Sequence, residues 1–169
     1  MAADEGTGTT QGSTSEDEAA FHRYGEELAE AVDAVLADWV ERCVVSVLVT
    51  QGIEVSGALR AEALAAGRAA RADVMPRLRA LLATDLDEQV AGPLSLLREA
   101  VRYPTEVLVA AGAEPVGRDD FAVRAFPGDL FGLSPAAFGD LDERLAEPGL
   151  HWGAAKAHVH LARRRAAPS

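Results

Sequence analysis

LAEAVDAVLADWVERCVVSVLVT, residues 28–50, decides the fold. Its second half, CVVSVLVT, is rich in β-branched residues and by composition alone resembles a strand. Its first half places Leu28, Val32, Val35 and Trp39 at three- and four-residue steps, the pitch of a helix. Cys43 and Val47 continue that series in phase, Glu27, Glu30, Asp33 and Glu41 fall largely off it, and no glycine interrupts before Gly52. The stretch therefore predicts the body of one long amphipathic helix that begins near Ala19. On its apolar stripe, Cys43 reads as a small buried hydrophobe whose thiol is inert.

Working outward toward the N-terminus, residues 1–17 are glycine, serine, threonine and acids with almost nothing to bury, so they read as a disordered acidic tail. Residues 18–169 are expected to form a single all-α domain. Toward the C-terminus, SGALRAEALAAGRAARADVMPRLRALLA, residues 56–83, places Leu59, Ala63, Ala66, Ala70, Val74, Leu78 and Leu81 on one side of a second long helix. Pro76 lies inside it and removes a backbone donor, which predicts a kink near Asp73 or two helices meeting there.

Beyond Thr84 the punctuation changes. Asp85 with Glu88 suggests a capped short helix, and breaks follow at Gly92-Pro93, Tyr103-Pro104, Gly112, Gly117, Pro127-Gly128, Ser134-Pro135 and Pro148-Gly149. Pro104 with Glu106 and Ser134 with Pro135 read as helix starts, and residues from about 150 to 165 as a C-terminal helix. No alternating strand pattern and no repeat is present. The expected architecture is an irregular helical bundle: two long helices, the second kinked near Pro76, several short helices and a C-terminal helix, preceded by the acidic tail.

Charge narrows the function. The net charge of −11 is uneven, because residues 1–30 hold eight acids against one arginine. Fifteen of the 16 basic residues are arginine, and the triple Arg163, Arg164, Arg165 at a helix end is better explained by the exposed carbonyls there than by phosphate recognition. Nucleic acid is not an expected partner. A single cysteine permits no internal disulfide, and no apolar run approaches the ~18 residues of a membrane span, so a cytoplasmic protein with no membrane association is expected.

The histidines are the natural place to look for chemistry. His151 and His158, seven apart in one expected helix, stand ~10 Å apart along its axis, too far for a shared ion that binds each ligand at ~2 Å. His158 and His160 point to opposite sides. No Gly-x-Gly-x-x-Gly or P-loop pattern occurs, so neither a metal nor a cofactor is expected. Asp119 and Asp120 diverge by about 100° if helical, and read as an N-cap and a first-turn acid rather than an acid-base pair.

Two functional readings remain. In the first, the protein is a non-enzymatic interaction or regulatory module with a protein partner or self-association, presenting the turn-rich segment 119–141 through Phe126, Phe131, Leu133 and Phe138. Phe121, Phe126, Phe131 and Phe138 also read as pins that anchor irregular segments onto the long helices. In the second, the protein is an enzyme or small-ligand binder with a cleft in its C-terminal half. Its candidate residues are His151 or His158 with Arg102, Tyr103 and Asp129.

Overall fold

The reading of residues 43–50 turns on which side chains vanish from solvent. Val44 and Leu48 are fully buried while Ser46, between them, is exposed. A strand would place all three on one face, whereas a four-residue repeat is helical. In the computed structural model, which describes residues 9–84 and 93–133, this stretch is the end of α1, Thr9–Thr50. The helix begins well ahead of the expected start near Ala19, and the tail expected over residues 1–17 thus overlaps its first turns. Residues 1–8 lie outside the described residues. Among the residues whose side chains are described, Phe21 is the first that is buried.

α1 ends in a Schellman motif. Gly52 adopts φ 71°, its N–H donates to the Val49 carbonyl at 3.1 Å, and the Ile53 N–H donates back to the Leu48 carbonyl at 2.9 Å. The chain then turns into α2, Gly57–Ala83, whose N-cap Ser56 accepts the Leu59 N–H on its hydroxyl at 3.1 Å. α2 continues as one helix through Pro76, which faces solvent and leaves only the Ala72 carbonyl without its usual donor.

The two long helices meet along Leu28, Val32, Leu36, Val40, Val44 and Leu48 of α1 and Ala63, Gly67, Ala70, Val74, Leu78 and Leu82 of α2. Their backbones approach closely at Gly67. A β-carbon there would sit 2.7 Å from the Ala37 carbonyl oxygen, a separation that no side chain tolerates. Three ion pairs tie the rims. Asp33 receives Arg71 at 2.6 Å and Arg79 at 3.1 Å, and Arg60 reaches Glu41 at 3.2 Å. The two guanidinium groups, Arg71 above all through its hydrogen bond, hold the Asp33 carboxyl below the ordinary aspartate range.

Two short helices pack on this pair: α3, Pro93–Glu99, with proline at its first position, against α2, and α4, Arg102–Ala110, against both long helices. Leu97 and Leu108 enter the core. Arg77 of α2 binds Glu99 at 2.6 Å, and the Tyr103 hydroxyl donates to Asp73 at 2.8 Å. α4 repeats the ending of α1: Gly112 has φ 79°, and the Ala113 N–H reaches the Leu108 carbonyl at 3.0 Å.

The chain from Ala113 to Leu133 holds only one turn-and-a-half helix, α5, Asp120–Ala125. Asp119 caps it, accepting the Ala122 N–H at 2.7 Å, and Asp120 adds a first-turn acid, the roles expected of this pair. The described residues form helices and turns without strands, so the protein is all-α, with two long helices and shorter ones. The short helix expected at Asp85 and the C-terminal helix expected from residue 150 lie outside the described residues.

Candidate functional site

Segment 113–133 is pinned at both ends by side chains. The Gln51 amide, just past the end of α1, pairs with the Glu114 backbone, donating to its carbonyl at 2.7 Å and accepting its N–H at 2.8 Å. At the far end Asp129 accepts the Leu133 N–H at 2.7 Å, which closes a turn and directs Phe131 and Leu133 into the core. Between them the Val116 N–H donates to the Leu130 carbonyl at 3.1 Å. α5 is thereby held away from the long helices, opposite the C-terminal end of α3 and the start of α4.

The gap that results is a pocket of about 570 Å³. Val101, Ala122, Ala125, Phe126, Pro127 and Leu133 supply its apolar wall. Three arginines also line it. The Arg98 guanidinium lies over the Phe126 ring, 4.6 Å from its centre, an arrangement that orients both groups. Arg118 is 10% exposed; its Nη2 donates to the Phe126 carbonyl at 2.8 Å, and its Nη1 stands 4.0 Å from the Asp129 carboxylate. Arg102 leans on the Tyr103 ring, donates to the Tyr103 hydroxyl at 2.9 Å, and lies 3.5 Å from Asp73.

The residues expected to build a cleft fare unevenly. Arg102 and Asp129, 27 positions apart, line the same pocket. Tyr103 lies beside it, its hydroxyl committed to Asp73, and burial followed by that hydrogen bond keeps the phenol protonated above its ordinary range. His151 and His158 lie outside the described residues, as does Phe138. Cys43 is half-buried where full burial was expected, but its thiol is inert as expected: burial first, and the charge of Asp129 second, push it up to about 12. Among the described residues, no group of three His, Cys, Asp or Glu is placed to hold a metal ion, and no helix is long and apolar enough to cross a membrane.

The residues expected to be presented to a partner also divide. Phe131 and Leu133 are buried as core pins, and Phe126 is half-buried as the floor under Arg98. The aromatic residue that is presented is Phe121, 74% exposed on α5, with Val123 two residues on and Leu130 beyond the helix also exposed. Phe121 was expected to act as a pin together with Phe126, Phe131 and Phe138, and instead stands in solvent, because the helix that Asp119 caps is too short to bury a full face. Sequence reasoning missed Arg98 and Arg118. Nothing local marks Arg118 as a partner of an acid 11 residues later, because the turn that joins them is set by Asp129 itself. Comparison of the chain with protein families, with curated proteins and with solved structures finds no match.

Proposed function

We propose that this protein is a small-ligand-binding helical module, non-enzymatic and cytoplasmic, whose ligand enters the pocket between α4 and α5. One observation carries the reading. Arg102 and Asp129, far apart in sequence, line one pocket of about 570 Å³, within the range of small-molecule sites, which joins an apolar wall to a set of charged side chains. A binder is favoured over a catalyst by the state of the available groups. The Asp129 carboxylate already accepts the Leu133 N–H, the Tyr103 phenol is engaged by Asp73 and Arg102, and the Cys43 thiol stays protonated. The cytoplasmic assignment rests on a single cysteine with no internal disulfide partner.

The test uses the full chain and N-phenyl-1-naphthylamine, a neutral dye that brightens in apolar surroundings. Saturable binding of one dye per chain is expected, lost on Ala122→Trp, which fills the pocket from α5. Dye binding that Ala122→Trp leaves unchanged overturns the reading.

A second reading has its own support. Among the described residues, Val109, Val116, Phe121, Val123 and Leu130 are exposed large apolar side chains within one stretch, leaving only Val49 and Leu64 elsewhere. Large apolar side chains left in solvent are candidates for contact with another surface. These residues would serve self-association, and sedimentation velocity across a hundredfold concentration range tests it. A concentration-dependent increase that Phe121→Ser abolishes supports this reading; a constant value for the unmodified chain ends it.

A further inference from the structure

We infer that the pocket takes a carboxylate carried on an apolar body. This rests on the ligand-binding reading above and adds the chemistry of the ligand. The starting point is the hydrogen-bond state of Arg118. Its side chain is nine-tenths buried and lines the pocket, yet among the described residues only Nη2 makes a hydrogen bond, to the Phe126 carbonyl at 2.8 Å. Nη1 stands 4.0 Å from the Asp129 carboxylate, beyond hydrogen-bond length, and the near oxygen of that pair is not drawn closer because the other Asp129 oxygen holds the Leu133 N–H at 2.7 Å. A guanidinium carries five donors in a fixed plane, so Arg118 meets the pocket with donors to spare.

The balance of charge around it selects an anion. The acids at the rim are already engaged. Glu99 is bound by Arg77 at 2.6 Å, Glu106 lies 3.9 Å from Arg102, and Asp129 serves the turn. Arg98, by contrast, has no carboxylate within ion-pair distance among the described residues and rests on the Phe126 ring at 4.6 Å. Of the six charged side chains that line the pocket, Arg98 is thus the one without a counter-ion among the described residues, and it stands on the same side as Phe126, the residue that Arg118 also touches.

The walls select the rest of the ligand. Val101, Ala122, Ala125, Pro127 and Leu133 offer no polar side-chain atom, so the body that displaces water from them is apolar. A planar carboxylate matches the guanidinium fork, and as a monoanion it costs less to strip of water against such walls than a dianionic phosphate ester. The ligand would lie with its carboxylate between Arg118 and Arg98 and its apolar part toward Leu133.

The experiment displaces N-phenyl-1-naphthylamine from the full chain with decanoate, decan-1-ol and decyl phosphate, each below its micelle concentration. Decanoate is expected to displace the dye at a concentration at least tenfold lower than decan-1-ol, because charge-assisted hydrogen bonds roughly double neutral ones in strength. Arg118→Gln should bring that ratio close to one. Arg98→Gln, which leaves the contact between Arg118 and Phe126 untouched, should reduce it several-fold and keeps the test valid if Arg118→Gln fails to fold. Equal displacement by decanoate and decan-1-ol, or tighter binding of decyl phosphate, overturns the carboxylate inference while the pocket itself stands. Failure of the dye to respond to Ala122→Trp is a separate result that removes the pocket reading.

Discussion

The α1–α2 pair and the segment 113–133 are held together by opposite means. The long helices share a repetitive seam in which each turn buries another small or branched side chain, and no single contact defines the geometry except the close approach at Gly67. The segment has almost no repeat. Its course is fixed by four specific polar contacts, at Gln51, Asp119, Arg118 and Asp129, and by two side chains that reach the core, Phe131 and Leu133. A seam built from many equivalent contacts resists local opening, while a strap held at a few points frees its outer surface for binding. The pocket lies where one meets the other.

This contrast predicts two kinds of variant. Leu36→Ala and Leu78→Ala remove fully buried side chains from the seam and should each lower unfolding free energy by about 2–5 kcal/mol in urea titration. Gly67→Ala should follow at about 1–3 kcal/mol, since the added methyl meets backbone on α1 and the helices must part to admit it. A loss near zero for Gly67→Ala would mean that the helices slide freely, and the seam would lose its one fixed point. In the strap, Asp129→Ala leaves Arg118 without its acid and the Leu133 N–H without its acceptor, at a cost of about 1–3 kcal/mol. That cost should appear as faster hydrogen exchange over 126–133 with exchange in α1 and α2 unchanged. Exchange rising everywhere would show that the strap is part of the same cooperative unit as the seam.

The smallest expected effect is electrostatic. The folded state holds the Asp33 carboxyl lower than the unfolded chain does, so its contribution is present above the ordinary aspartate value and is lost as pH falls through the folded one. Because Arg71 and Arg79 are more than half exposed, solvent screens the pair and the contribution should be no more than about 1 kcal/mol. Asp33→Asn should therefore lower stability slightly at neutral pH and close the gap with the unmodified protein in acid. A gap that persists at acid pH would assign the effect to packing.

The seam was legible in the sequence for the reason that it is periodic. Even so, the buried face is turned by one residue from the expected stripe. Val35, Cys43 and Val47 are only half-buried, while Leu36, Val44 and Leu48 are fully buried. Each pair is adjacent and apolar, so the sequence defines a ridge two residues wide, and only the position of α2 decides which edge faces inward. Likewise Gly67 and Leu82 are buried where Ala66 and Leu81 were expected to lead. The strap was legible only at its caps. Asp119 announces itself through local chemistry, but the inward turn of Phe131 and Leu133 depends on Asp129 folding back four residues, and the stacking of Arg98 on Phe126 spans 28 positions of chain. Contacts of that range have no periodic signature. The cleft reading included Arg102 and Asp129 because those residues are polar in a chain of alanine and leucine, which is a signal of composition and not of pattern.

The joint at Gln51 restricts what evolution can write there. Its side chain imitates a peptide unit, giving a proton to one main-chain group and receiving one from the other across a 63-residue loop. A carboxylate of the same length offers only acceptors, an ammonium only donors, and asparagine is one methylene short. Glutamine's amide meets both requirements at this reach, so a half-buried position that composition would class as interchangeable is chemically spoken for.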